Sequence, residues 1–299
     1  MVNKIYEQAL IQGFALGAFN FVNLEILKAI IAASEEKDAF VIAAVSEGAL
    51  KYIEPSYLKA MIRASKLKPH NKVMFHLDHG KSLESCALAI ELGFDSVMID
   101  ASSLPFEENI ALTKSVCEYA HSKGIFVEGE LGVLAGVEDE VSAEKSIYTD
   151  PVQAKEFVKR TGVDSLAIAI GTSHGAYKFS GEAKLNLDIL VQIQNMLPNQ
   201  PLVLHGASSV YEKDIKKFNT YGGQLVGAKG VPDVVLKDVS RNYNICKINT
   251  DTDLRICFLA NLKESLAKEK TEIDIRKHMD YAASATKELI KSKISIFGQ

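Results

Sequence analysis

The chain has 299 residues, 47% hydrophobic and 24% charged, enough apolar material for a sizeable core without disulfides. A formal net charge of −4 offers no basic face for a nucleic-acid partner, so an anionic substrate would need a local basic pocket. No run of about 18 apolar residues is present to span a membrane, and the opening MVNKIYEQAL is too interrupted by charge to read as a signal peptide.

Cys86, Cys117, Cys246 and Cys257 form no Cys-x-x-Cys pair and no secreted disulfide pattern. They read as reduced, small buried hydrophobes in a cytoplasmic protein. No low-complexity stretch, Pro-rich linker or charge block divides the chain, so residues 1–299 read as one domain.

Along the chain one unit recurs: a short apolar run ends in polar residues, and an amphipathic helical stretch follows. Eight runs occur, at 15–21 (ALGAFNF), 40–46 (FVIAAVS), 73–79 (VMFHLDH), 96–101 (SVMIDA), 126–131 (FVEGEL), 165–170 (SLAIAI), 202–207 (LVLHGA) and 246–251 (CKINTD). Such near-continuous apolar runs fit strands buried on both faces. After the first run, Leu24, Leu27, Ile30 and Ile31 share one face of a helix predicted over Leu24 to Ala33. A later helix, predicted from Phe106 to Lys123, stops at Gly124. Alternating strand and helix implies parallel pairing with right-handed crossovers, and eight repeats imply closure. The predicted fold is α/β: a single (β/α)8 TIM barrel with additional C-terminal helices. An open doubly wound sheet is the alternative, disfavoured because the first strand–helix junction, NFVNLE, has no Gly-x-Gly phosphate loop.

A barrel of this kind builds its active site where the strands end. The strand ends here carry Asn20, Ser46, Asp78, His79, Asp100, Glu128, Glu130, His174, His205, Asn249 and Asp251. His79, His174 and His205 follow the third, sixth and seventh strands, and each precedes a glycine. Three imidazoles converging on one mouth, with a fourth position open, make the ligand set of a catalytic zinc. His76 lies within a strand and reads as packing or as support behind the site, whereas His70, His121 and His278 read as solvated. Asp78, beside His79, is placed to relay a proton or orient a ligand. Glu128 and Glu130 share one strand face, so one can approach the metal while the other makes a structural pair.

The fifth strand is followed by an unusually long connection, Gly132 to Thr149, where about 2–6 residues is ordinary. It reads as a lid with Gly132 and Gly136 as hinges and Glu138, Asp139 and Glu140 on the moving part; a carboxylate so delivered is a candidate base for a carbon-bound proton. Phosphate sites are suggested by GTSHGAYK (171–178), HGASS (205–209) and NTDTDLR (249–255), since phosphate binding after the last two strands is common in this fold. Arg255 falls in the first turn of the next helix, where a cation opposes the macrodipole, which makes a phosphate partner more attractive.

Together these residues resemble the class II fructose-bisphosphate aldolases in their shorter bacterial and protist branch, over roughly residues 5–290. The resemblance rests on GAFNFVN (17–23), SEGA (46–49), HLDHG (76–80), DSVMIDAS (95–102), VEGELG (127–132), GTSHGAYKF (171–179), LVLHGAS (202–208) and INTDTDLR (248–255), in that order. It implies that His79, His174 and His205 bind Zn2+, with Glu130 as a resting ligand, and that a zinc-stabilised enediolate forms. It implies that Asp78 exchanges the aldol hydroxyl proton and that Glu138 handles the proton on the carbon beside the ketone. Gly175, Lys178, Gly206 and Ser208 match positions cradling the phosphate of the ketone half, beside which a monovalent cation (Na+ or K+) is typical. Asn249, Asp251 and Thr252 match substrate contacts, and Ser46 and Arg255 match contacts to the distal phosphate. Asp274 and Arg276 match a pair that reaches the neighbouring subunit's active site, so a homodimer or homotetramer is expected.

The nearest rival is a tagatose-bisphosphate aldolase, whose members tend to carry a small residue where Asp251 stands; fructose bisphosphate is therefore favoured. A Schiff-base aldolase using Lys247 is disfavoured by the three-histidine pattern. A metal-dependent hydrolase would usually show His-x-His at the first strand, which GAFNF lacks, and a non-catalytic binding protein would not need a lid glutamate beside an open metal.

Overall fold

The computed structural model describes residues 1–69, 71–138, 141–143, 147–175 and 185–299, with only the backbone described at 135, 137, 138, 141–143 and 174. Its strands are β1 (Leu16–Asn20), β2 (Val41–Ser46), β3 (Val73–Gly80), β4 (Ser96–Ile99), β5 (Phe126–Leu131), β6 (Ala135–Glu138), β7 (Val141–Ala143), β8 (Ser165–Ile168), β9 (Ser173–His174), β10 (Leu202–Leu204) and β11 (Ile245–Thr250). Eight of them close into a parallel barrel in the order β1-β11-β10-β8-β5-β4-β3-β2, each matching one predicted run. This is the expected (β/α)8 architecture.

The helices are α1 (Val2–Gln12), α2 (Leu24–Lys37), α3 (Glu47–Ile53), α4 (Pro55–Lys66), α5 (Leu83–Leu92), α6 (Phe106–His121), α7 (Pro151–Thr161), α8 (Leu187–Met196), α9 (Glu212–Thr220), α10 (Asp233–Asn242), α11 (Thr252–Lys268) and α12 (Ile275–Ile296). Local chemistry sets several boundaries. Asn23 caps α2 by accepting from the Ile26 N–H, and Asp150 caps α7 just before Pro151, which lacks the N–H that the first helical turn cannot use. Leu27, Ile30 and Ile31 of α2 are buried as expected, but Leu24 is exposed, because it opens the helix beyond the end of the core. The helix predicted to Lys123 ends at His121, and a turn carries the chain to Gly124, whose φ of 72° only glycine adopts readily.

Inward positions of the strands change character along the bore. At the closed end Leu16, Ile42, Met74, Phe126 and Cys246 form an apolar floor, plugged by α1, whose Tyr6 ring stacks on Phe126 at 4.4 Å. Higher up, small and apolar Ala18, Ala44, Met98, Ala167 and Val203 share the interior with buried His76, Glu128 and Lys247. The outer faces of the strands pack against the helices in one large cluster that includes Phe19, Phe75, Val97 and Val127. Burying each such large side chain stabilises the fold by about 1.5–3 kcal/mol.

Part of the predicted lid segment lies among the described residues. β6 and β7 form an antiparallel hairpin, and β6 also runs parallel to β9, pairing Ala135 with Ser173 and Gly136 with His174. All four cysteines are free and buried, as read from the sequence. His278 is buried rather than solvated: its Nδ1 lies 2.8 Å from Ser265 Oγ, at the packing of α12 on α11. Among the described residues no helix is long and apolar enough to cross a membrane.

Candidate active site

At the barrel mouth, β3 delivers two adjacent residues to one place. In a regular strand consecutive side chains point to opposite faces. Here His79 adopts φ 49°, and the pairing of β3 with β4 shifts register between Leu77 and Gly80, so that Asp78, His79 and His205 offer ligand atoms within 4.8 Å of one another. A left-handed conformation at a bulky residue is strained and persists only where its surroundings enforce it. Gly80 helps: a Cβ there would meet the Met98 carbonyl oxygen at 2.7 Å, so only glycine lets β3 lie this close to β4.

Each histidine is oriented from behind. His79 Nδ1 lies 2.8 Å from Asp100 Oδ2 and 3.7 Å from Glu130 Oε2. Asp100 is itself held by the Ser102 N–H and hydroxyl. His205, at the end of β10, has Nε2 2.7 Å from Glu128 Oε1, and its ring meets that of His79 edge-on with centroids 4.5 Å apart. When a metal is bound, donating the Nδ1 proton of His79 and the Nε2 proton of His205 to these carboxylates would leave the other nitrogen of each ring with the lone pair that metal-binding histidines require. Gly206 follows with φ 60°, and a Cβ there would press to 2.6 Å from the Ser173 carbonyl oxygen. The loop after His205 is therefore pinned against β9, the strand that carries His174. The side chains of His174 and Glu138, and the whole of His70, Asp139, Glu140 and Lys178, lie outside the described residues.

Asp78 is held by two amides: Asn20 Nδ2 donates to Oδ2 at 2.7 Å, and Asn249 Nδ2 donates to Oδ1 at 2.8 Å. Burial pushes the Asp78 carboxyl up, but the charges of His79, His205 and Lys247 and the Asn20 hydrogen bond outweigh it and hold it below the usual carboxylate range. Burial disfavours a charged His79, yet Asp78, Asp100 and Glu130 push its ring up to about 10. Burial and the Asp100 charge push Glu130 well up, and its Oε2 has no hydrogen-bond partner among the described residues. A buried crowd of carboxylates that calls for positive charge, an orphaned Glu130 oxygen and two oriented imidazoles fit a divalent metal of nitrogen and oxygen preference.

The remaining predicted residues divide. Arg255 grips Asp251 through Nε to Oδ1 and Nη2 to Oδ2, both at 2.8 Å. Arg255 also borders a cavity of about 320 Å³ lined by Val22, Asn23, Gly48, Ala49 and Tyr52. Ser46 sits at the adjacent turn, where its hydroxyl caps α3 at the Ala49 N–H. Thr252 and buried Ser208 stand at the mouth ends of β11 and β10, and Gly175 has φ 79°. Asp274 and Arg276 bond to each other at the start of α12, and among the described residues none of their hydrogen bonds reaches those around Asp78. Both carboxylates approach the histidines: Glu130 Oε2 lies 3.7 Å from His79 Nδ1, while Glu128 pairs with Lys247 and also meets His205.

Sequence reasoning noted Asn20 and Asp100 as strand-end polar residues but gave them no role; the structure makes them partners of Asp78 and His79. It also missed Asp253 on α11, which accepts from the Ser209 and Val210 N–H groups and lies 3.0 Å from the buried Lys293 Nζ of α12. That bridge ties the phosphate-loop candidate after β10 to the C-terminal helix. Asp253 in NTDTDLR was the available signal.

The family model described as "Fructose-bisphosphate aldolase class-II" matches residues 1–299. The chain is 44% identical to the fructose-bisphosphate aldolase of Treponema pallidum, covering 97% of this chain and 92% of that protein. It is likewise 44% identical to the fructose-bisphosphate aldolase of Helicobacter pylori, covering 99% and 97%. Among solved structures, the YdjI aldolase of Escherichia coli K12 superposes with a TM-score of 0.80 at 31% identity, covering 100% of this chain and 97% of that one.

Proposed function

The chain belongs to the class II fructose-bisphosphate aldolase family, and from that premise we propose how residues 1–299, as one catalytic domain, perform its reaction. That reaction is the reversible cleavage of fructose 1,6-bisphosphate to dihydroxyacetone phosphate and glyceraldehyde 3-phosphate. The observation that carries the assignment of roles is the buried cluster of Asp78, His79 and His205.

His79, His174 and His205 are the residues that would hold Zn2+, with Glu130 as a further ligand in the resting site. When bound, zinc supplies Lewis acidity at the ketone oxygen, where negative charge develops as the carbon–carbon bond breaks. Asp78 is the general base. Kept ionised by its neighbours, it accepts the C4 hydroxyl proton as the C3–C4 bond breaks, the bonding pair stays with the ketone half, and the proton returns in condensation. Asn20 and Asn249 fix the plane of that carboxylate. Glu138, on the β6–β7 hairpin, supplies the proton to C3 that completes dihydroxyacetone phosphate, and closure of the hairpin excludes water.

Gly175, Lys178, Gly206 and Ser208 receive the phosphate of the ketone half, beside which Na+ or K+ binds. Asn249, Asp251 and Thr252 contact the sugar chain. Ser46 and Arg255 receive the distal phosphate, Arg255 being aimed by its two-point grip on Asp251. Asp274 and Arg276 complete the site of the neighbouring copy in a cytoplasmic homodimer or homotetramer. The deciding experiment is cleavage of fructose 1,6-bisphosphate after thorough chelation, followed by zinc add-back. Activity lost and restored supports the metal mechanism; activity that survives verified metal removal overturns it.

A further inference from the structure

Directly beneath the mouth lies a line of buried polar side chains contributed by four strands and by the residue just past a fifth. Ser96 Oγ on β4 is 2.8 Å from His76 Nδ1 on β3. His76 Nε2 is 3.1 Å from Lys247 Nζ on β11. Lys247 Nζ donates to Glu128 Oε2 on β5 at 2.8 Å, and Glu128 Oε1 accepts from Nε2 of His205, just past β10, at 2.7 Å. Ser96 is 2% exposed and His205 1%, while His76, Lys247 and Glu128 have no exposure at all.

With Lys247 as an ammonium and Glu128 as a carboxylate, the donors and acceptors along this line determine both histidine tautomers. A lysine ammonium has only donors, so it must meet the lone pair of His76 Nε2, which puts the His76 proton on Nδ1, facing Ser96. An ionised Glu128 has only acceptors, so the His205 proton is on Nε2 and the lone pair on Nδ1. An ion pair withdrawn from water needs each charge to satisfy the other, so Lys247 holds the Glu128 carboxylate in place against His205.

We propose that Lys247 and Glu128 are positioning residues that lock the tautomer and ring orientation of His205, so that a lysine with no access to substrate sets how tightly the site holds its metal. This rests on the reading of His205 as a metal ligand. The role differs from a Schiff-base lysine, which must reach the substrate carbonyl, and from a packing role, which would leave the metal unaffected in any folded variant.

The test uses the full chain as wild type, Lys247→Met and Glu128→Gln, with folding checked by circular dichroism. Zinc affinity is measured by competition with a chromophoric chelator, and the cobalt-loaded proteins are compared by visible absorption. The expected result is zinc binding weakened by about 10–100-fold in each variant, an altered cobalt spectrum, and a fall in kcat with little change in KM. Wild-type zinc affinity and cobalt spectrum in folded variants would overturn the proposal. If the variants do not fold, the zinc-loaded wild type decides it through long-range 1H–15N correlation of labelled histidines, with His205 assigned by its loss in His205→Asn. A proton on Nε2 supports the proposal, and a proton on Nδ1 overturns it. Should His205→Ala bind zinc as tightly as wild type, the metal-ligand reading fails as well, and that outcome is separate from a Lys247 variant that binds normally while His205→Ala does not.

Discussion

Asp78 and His79 are neighbours in sequence, yet both reach the same site because β3 breaks its alternation between them. The left-handed turn at His79 and the register shift against β4 rotate one side chain through to the face of the other. The proposed base and the proposed metal ligand are thereby brought together by one local distortion.

His205→Ala and His79→Ala are expected to lose zinc stoichiometry and to drop kcat/KM by more than about 10³-fold, since on the proposed reading each removes a ligand of the open catalytic site. His121→Ala is expected to remain near wild type, because that ring is half exposed and pairs with Asp164 at 2.9 Å, away from the barrel mouth. Zinc content and steady-state cleavage of the three variants check this; equal losses in all three would undo the histidine assignment.

Asp78→Asn is expected to lower kcat by about 10²–10⁴-fold while leaving zinc content intact. The substitution removes the proton acceptor, and the new amide must also face the Nδ2 donors of Asn20 and Asn249. Metal content measured alongside the rate distinguishes loss of the base from loss of the metal.

Sodium borohydride in the presence of fructose 1,6-bisphosphate is expected to leave the enzyme active and its mass unchanged. Lys247 has no exposed surface, and its ammonium is committed to Glu128. A stable substrate adduct on any lysine, seen by mass spectrometry, would contradict the metal mechanism.

Asp251→Ala frees Arg255 from its two-point clamp and is expected to raise KM for fructose 1,6-bisphosphate more than for tagatose 1,6-bisphosphate. The ratio of kcat/KM for the two sugars is the measurement; an unchanged ratio would remove Asp251 from the specificity argument.

Glu264 on α11 contacts Lys217 at 2.7 Å, Lys268 at 2.6 Å and the Tyr281 hydroxyl at 3.0 Å. The hydrogen bonds from Lys217 and Lys268 lower its carboxyl to about 2. A depressed carboxyl contributes stability that is complete above its unfolded value, about 4.3, and is lost as pH falls through the folded value. The Tm of Glu264→Gln should therefore lie below wild type at pH 6, by a margin equivalent to roughly 1 kcal/mol after solvent screening, and the two should converge as pH approaches 2. A constant gap between pH 6 and 2 would show that the carboxylate charge is not what matters.

The eight strands were legible because they are written locally, as short apolar runs, and His-Gly pairs at strand ends singled out His79 and His205, which the structure brings together. The pairings that make the site work are not local. Asn249 meets Asp78, and Lys247 meets His76, each across 171 residues, and no periodicity encodes which strand-end side chain faces which. Solvation of His278 was misread for a related reason. Helical spacing alone does not reveal that α11 covers that face and supplies Ser265. The break of alternation at His79 has no residue signature either, since the glycine that permits the close approach to β4 follows it at position 80.

The bore of the barrel is a blind well. Its floor is sealed by Leu16, Ile42, Met74 and the Tyr6–Phe126 stack. A sugar bisphosphate and the two trioses made from it must therefore share one doorway, and neither product can leave by the back. Traffic through the catalyst is single-file in direction if not in order, and a molecule lodged at the mouth stops entry and exit at once.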